Sequence, residues 1–317
     1  MPIFVRFYNV MVLYYRRKVI LAILEKIGGS TTAKCMQKYL FIFTRNQQGG
    51  ERLYDFLPYR YGCFSFVANN DIHALAHQEF LTIDDVPGND KRYTLTHDMK
   101  MFNQLNMFDQ QTVDYVVENF GGMTQNELIA YTYRRWPHTA INSRVKGELL
   151  SAEELAKVEE FRTRWQSDEP ALLTLGYEGL SIEKYIGKLI TLGVKVLCDV
   201  RKNAYSMKYG FKKDTLKMAC EAVGIEYIHL PQLGIESDKR QSLNNQSDYD
   251  ALFDEFERTT LVENKEYLTR LKTIVDNNVR VCLLCYERDP RQCHRTRVAN
   301  AIMAMPDVTF KYLPIML

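Results

Sequence analysis

The stretch LLTLGYEGLSIEKYIGKLITLGVKVLCDVR, residues 172–201, decides the fold. Leu172–Leu175 is a short, mostly apolar run that breaks at Gly176, Ser181–Leu192 repeats its apolar residues at helical spacing, and Val194–Val200 is a second mostly apolar strand, ending in Asp199, Val200 and Arg201. Strand, helix and strand in that order make a βαβ unit, and continuous apolar strands are what a sheet covered on both faces requires. Working outward, Lys213–Val223 reads as a helix, Glu226–Leu230 as a third strand and Asp248–Asn278 as mostly helix. Val279–Cys285 is a fourth strand, Thr296–Met305 a closing helix and Val308–Leu313 a last strand. The expected fold class is α/β, with a Rossmann-like domain over residues 171–317 whose sheet is mostly parallel and whose chemistry lies at the carboxyl ends of its strands.

The N-terminal half has another texture. Lys18–Ile27 places apolar residues at helical spacing and stops at Gly28 and Gly29; Ser30, Thr31 and Thr32 then offer an N-cap to a second helix through Phe43. A third helix runs from about Phe64 to Phe80. Leu81–Val86 and Lys91–Thr96, separated by Pro87, Gly88, Asn89 and Asp90, read as a hairpin. Three helices and a hairpin are the order of a winged helix-turn-helix domain, expected over residues 14–148. Residues 149–170 read as a connecting helix, Leu149–Trp165 with a Ser151/Glu154 capping box, and a linker ending at Pro170.

The 317 residues are 46% hydrophobic, enough for two cored domains, and Lys+Arg 41 against Asp+Glu 39 gives a net charge of only +2. Contact with nucleic acid must therefore come from a local basic face. Seven cysteines, mostly inside apolar runs and without a short-spaced framework, imply free thiols and a cytoplasmic location. No apolar run approaches the roughly 20 residues of a membrane-spanning helix.

The residues for chemistry converge on strand ends. The run VCLLCYERDPRQCHR, residues 281–295, passes from strand to polar loop to a helix start, where backbone N–H groups and the dipole favour an anion. Asp199, Glu287 and Glu178 form an acidic set able to act as general acid and base or nucleophile, with His294 as proton carrier beside Cys293. Arg201 and Arg295 are candidate anion forks, with ion pairing to Asp199 or Glu287 as the structural alternative. Tyr177, Tyr205, Tyr227 and Cys293 complete the expected substrate-binding set. Cys285 and Arg291 stand at the spacing of an anion loop, but the residues between them include no glycine and two acids, which argues against one. A zinc set of Cys282, Cys285, Cys293 and His294 has suitable residue types, yet Cys282 and Cys285 face opposite sides of a strand; neither metal nor cofactor is expected. The polar loop ESDKRQSLNNQSD, residues 236–248, suits a lid or binding loop. Arg52 and Arg60 among Tyr54, Tyr59 and Tyr61, with Arg134 and Arg135, are candidate nucleic-acid contacts, against packing and solvated-face alternatives.

Two family resemblances add to these readings. GYEG at 176–179, DVR at 199–201, Tyr205 and Ser206, GFKK at 210–213, GIEY at 224–227, Leu233 and Gly234, LLCYE at 283–287 and CHR at 293–295 resemble the domain of unknown function 488 family over about Leu172–Met305. That resemblance implies a fold and a pocket without a reaction; the family often has proline where this chain has Asn203. KVILAILEKIGG at 18–29, MQKYLF at 36–41 and YDFLPYRYGCFS at 54–65 resemble the YwgA-type winged-helix modules of bacteria over about Tyr14–Ser143, implying a targeting domain that contacts DNA or a partner protein. The expected function is an enzyme targeted to nucleic acid, DNA ahead of RNA, acting on a nucleotide or modified base by N-glycosidic or phosphate-linked cleavage. The alternatives are a DNA-binding regulator sensing a small anionic or nucleotide ligand, and a non-catalytic module of a bacterial defence or toxin–antitoxin system. A homodimer is compatible with a winged helix on a symmetric site, and no membrane partner is expected.

Overall fold

A computed structural model describes residues 13–88, 90–97, 99–164, 167, 169–236, 238–240 and 243–316. Asn89 of the hairpin turn, Trp165 and Asp168 of the connecting segment, and Ser237, Gln241 and Ser242 of the polar loop lie outside the described residues. The chain divides into two compact units, one of residues up to Phe56 with Cys63–Arg135, the other of Leu57–Gly62 with Trp136–Leu317.

The first unit is built from α1 (Tyr15–Lys26), β1 (Ser30–Thr32), α2 (Ala33–Asn46), α3 (Phe66–His77) and the hairpin β4 (Leu81–Val86) and β5 (Asp90–Leu95). The short strand β2 (Leu57–Tyr59) belongs to the second unit; β3 (Gly62–Phe64) precedes α3, and α4 (Met107–Phe120) and α5 (Gln125–Arg135) follow the hairpin. Val19–Leu24 are all fully buried, so α1 is a core helix rather than an amphipathic surface one. It ends because Gly28 and Gly29 take φ of +90° and +84°, a region open to glycine. Thr32 and Ser65 cap α2 and α3 by accepting from Cys35 N and Ala68 N. β1 adds antiparallel to β5, giving a three-stranded sheet ordered β1-β5-β4, a pairing too short for sequence periodicity to announce. Buried Asp71 draws Arg16, Arg17 and the Tyr54 hydroxyl together, at 2.5, 2.7 and 3.1 Å.

The second unit opens with α6 (Lys146–Leu149) and α7 (Ala152–Arg164), where Ser151 and Glu154 form the expected reciprocal cap at 2.9 and 3.3 Å. Then come β6 (Ala171–Gly176), α8 (Ile182–Thr191), β7 (Val196–Asp199), α9 (Lys213–Glu221) and β8 (Glu226–His229). The long helical stretch resolves into α10 (Gln246–Phe256), a π-helical turn at Glu257–Leu261 and α11 (Lys265–Asp276). The chain closes with β9 (Arg280–Cys285), α12 (His294–Met303) and β10 (Lys311–Pro314). The sheet order is β10-β6-β9-β7-β8 with every pairing parallel, and every residue of β6, β7 and β9 is buried, which accounts for their largely apolar sequence.

This order positions the site. From β6 the chain crosses toward β7, whereas from β9, its sheet neighbour, it crosses back past β6 to β10. Connections leaving two adjacent strands in opposite directions create a switch point, and ligand crevices of open parallel sheets lie at the carboxyl ends there. The paired ends are Gly176 and Cys285.

Candidate functional site

Two polar groupings occupy the carboxyl end of the sheet. The first is a closed buried network. Asp199 ends β7 and binds Arg201 in a fork, Nε to Oδ1 at 2.8 Å and Nη2 to Oδ2 at 2.6 Å. Arg201 Nη1 donates to the Tyr177 hydroxyl at 2.8 Å and the Phe211 carbonyl at 3.0 Å, and Tyr227 donates to Asp199 Oδ2 at 2.6 Å. Burial and the Asp199 charge push the Tyr227 phenol up, so it stays a donor. Tyr177 stacks on Phe211 with centroids 4.1 Å apart. Of the two readings open for Arg201, the geometry is that of the ion pair; its fork faces protein groups rather than solvent, and both oxygens of Asp199 are bonded.

The second grouping lies at the β9 end. Cys285 Sγ is 3.0 Å from Glu287 Oε2 and 3.5 Å from His294 Nδ1. Arg240 pairs with Glu287 and places Nη2 2.6 Å from His294 Nδ1. Cys293 is the N-cap of α12 and His294 its first residue, so the helix start delivers a thiol and an imidazole to the strand that delivers Cys285. Ligand atoms of Cys285, Glu287, Cys293 and His294 all lie within 4.8 Å of one another. His294 Nε2 meets the Val200 carbonyl at 2.9 Å; a carbonyl only accepts, so Nε2 carries the hydrogen. Arginine only donates, so toward Arg240 Nδ1 is an acceptor; toward an ionised Cys285 it is a donor, and although burial opposes it the Cys285 charge raises the His294 imidazole above its ordinary value.

Burial works against ionisation of Cys285, but the Cys293 thiol, His294 and Arg240 together outweigh it and hold Cys285 well below the usual thiol range. Burial and the Cys285 charge raise Glu287. Burial and the same charge push Cys293 well above its ordinary value. Such a centre can carry a thiolate beside a protonated carboxyl, or bind a soft cation.

The remaining expected residues are dispersed around this core. Arg295 is fully buried, with Nη1 on the Glu287 carbonyl and Nη2 3.3 Å from the Arg288 carbonyl, so it braces the loop after β9 instead of presenting an open fork. Gly176 is required by that loop, since a Cβ there would stand 1.9 Å from the Glu287 carbonyl oxygen. Glu178 is exposed and accepts from Arg288 N at 2.9 Å. Tyr205 is 58% exposed, with its ring under Lys212. Arg291 points outward to Asp289 and joins neither grouping. Cys282 lies near Cys198 and Tyr185, away from the Cys285 cluster. Sequence reasoning points to the loop of residues 236–248 without singling out Arg240, because nothing in the spacing distinguishes it from Lys239.

In the first unit, exposed Arg45, Arg52 and Arg135 approach closely enough that partial burial and their mutual repulsion lower Arg45. Arg134 ends the same helix as Arg135. Tyr54 is buried against Asp71, a packing role. Arg60 belongs to the second unit, beside the Tyr59 ring. Among the described residues no helix is long and apolar enough to cross a membrane.

No curated protein matches the chain. Residues 181–302, from the N-cap of α8 into the last turn of α12, match the model of the family described as a domain of unknown function, DUF488.

Proposed function

We propose that the protein is an enzyme that acts on a nucleotide or modified base of nucleic acid, DNA ahead of RNA, cleaving an N-glycosidic or phosphate-linked bond. The observation that carries this reading is the placement of Cys285, Glu287 and His294 at the switch point of a parallel sheet, with Arg240 over them. Glu287 is the acid–base group: it lies 3.0 Å from Cys285 Sγ, and burial and the Cys285 charge raise its carboxyl above the ordinary carboxylate value. Asp199 acts by holding Arg201, Tyr177 and Tyr227 in place.

The first unit serves as the targeting module, a winged helix with β4 and β5 as its wing. Support comes from the order of its helices and hairpin and from the clustered Arg45, Arg52 and Arg135. Like charges gathered on an exposed surface repel one another and are relieved by phosphate.

Turnover on plain and base-modified oligonucleotides tests the reading. Product formed by the wild type should disappear in Glu287→Gln while DNA binding survives. Equal turnover in the variant removes Glu287 from the chemistry, and no binding at low salt removes the nucleic acid.

A further inference from the structure

We infer that Cys285, Cys293 and His294 form a zinc site, with Glu287 at its edge. The donor set is two thiols and an imidazole, the combination that suits a tetrahedral zinc ion. Bond lengths of about 2.3 Å to sulfur and 2.0–2.1 Å to nitrogen put neighbouring ligands of a tetrahedron about 3.6 Å apart. Cys285 Sγ and His294 Nδ1 are 3.5 Å apart, and all four candidate ligand atoms lie within 4.8 Å of each other. A second, independent feature is the orientation of His294. Its Nε2 hydrogen is held by the Val200 carbonyl at 2.9 Å, which fixes the tautomer and aims the Nδ1 lone pair at the thiols. Metal-binding histidines are characteristically anchored this way through the far ring nitrogen.

Charge points the same way. Were Cys285, Cys293 and Glu287 all ionised, the pocket would carry three negative charges, against the guanidiniums of Arg240 and Arg295. A dication lets both thiols ionise together. The set differs from the one that spacing suggests: Cys282 is excluded by the alternation of the strand, which leaves three protein ligands and an open fourth position with Glu287 beside it. Arg240 competes with the ion for the same lone pair, since its Nη2 lies 2.6 Å from Nδ1.

The role of the site rests on the reading given under Proposed function. With zinc held by Cys285, Cys293 and His294, a water activated there would give one proton to the Glu287 carboxylate as its oxygen bonds to the electrophilic carbon or phosphorus. The scissile bond breaks toward the departing nitrogen or oxygen, which takes the proton back from Glu287. Approach is from the side of Arg240 and Glu287, whose side chains are 26% and 17% exposed.

The test is elemental analysis of the full chain purified without chelator, followed by stripping and titration with Co2+. One zinc per chain and thiolate-to-cobalt absorption saturating at one equivalent are expected. Cys285→Ser and Cys293→Ser should each weaken Co2+ binding at least tenfold, with circular dichroism recorded to verify folding, while Cys282→Ser binds as the wild type does. Arg240→Gln, which frees the Nδ1 lone pair, should bind Co2+ more tightly, a result that misfolding does not produce. Absence of both zinc and cobalt absorption in the wild type, or equal binding by Cys285→Ser, overturns the site. A stripped chain that keeps full turnover overturns its catalytic role. A loaded chain that turns over no oligonucleotide counts against the enzymatic reading alone.

Discussion

His294 Nε2 donates to the carbonyl of Val200 across 2.9 Å, and that carbonyl sits between Asp199 and Arg201 in the chain. One hydrogen bond thus ties the start of α12 to the end of β7 and couples the closed Asp199–Arg201 network to the Cys285 cluster. His294→Ala leaves a buried carbonyl without its donor and a cavity beside Phe256, whose ring stands 5.7 Å from the imidazole. The expected cost is about 2–3 kcal/mol in urea unfolding, with complete loss of turnover. Unchanged stability would mean that the bond does not hold the helix start.

Asp199→Asn is expected to act through stability. The variant keeps a hydrogen-bonding side chain but leaves the Arg201 guanidinium, only 6% exposed, without its counter-charge. Breaking a buried pair from one side costs about 3–5 kcal/mol. Tyr227→Phe removes only the 2.6 Å bond to Asp199 Oδ2 and should cost about 1–2 kcal/mol. A milder effect of Asp199→Asn than of Tyr227→Phe on the denaturant midpoint would contradict the ion-pair account.

Gly176→Ala tests the close passage of the loop after β9. The added methyl meets the Glu287 carbonyl oxygen at 1.9 Å, a backbone atom that cannot rotate away. Glu287 must move, so activity should fall at least tenfold even where the loss of stability stays within about 1–3 kcal/mol. Gly179→Ala is a control for a different effect: nothing lies within 4 Å of its added Cβ, and its cost comes from a φ of +78°.

Lys38 gives the first unit a pH dependence. Its side chain is fully enclosed in α2, with Nζ 3.2 Å from the Cys63 carbonyl, and burial lowers its pKa below 10.5. Between the folded value and 10.5 the unfolded chain binds more protons than the folded one, so stability rises with pH across that window. The slope is at most about 1.4 kcal/mol per pH unit. Lys38→Met removes the titrating group and should be more stable than the wild type at neutral pH, with the gap narrowing toward pH 10. A gap that widens would reverse the sign argued here.

The sheet strands are legible in the sequence because burial on both faces writes itself as apolar runs without polar alternation, as in Val281–Cys285 and, with Thr174 its one polar residue, Leu172–Leu175. The hairpin β4–β5 is legible from its turn residues. By contrast β1 has three polar residues and exists only because β5 offers it a partner, a tertiary effect that no local pattern records. At the site, Glu287 and His294 follow from their places at a strand end and a helix start. The roles of Arg201 and Arg295 depend on distances to Asp199 and to the Glu287 carbonyl, which spacing cannot supply. Arg240 reaches the cluster from a loop whose sequence is merely polar.

The clustered arginines of the first unit make the targeting proposal measurable. Arg45 stands at the end of α2 and Arg135 at the end of α5, where cations also complement helix dipoles, so a purely structural role predicts a loss of stability and no change in nucleic-acid binding. Phosphate contact predicts the converse. Arg52→Gln combined with Arg135→Gln should weaken duplex binding to a similar extent for every sequence, because phosphates carry no base identity. Each lost contact should reduce the slope of log affinity against log salt by about 0.9, hence about 1.8 for the pair. An unaltered slope with weaker binding would place these residues away from the phosphates, and an unaltered affinity would leave Arg45 and Arg135 as helix-end charges and Arg52 as an exposed loop charge.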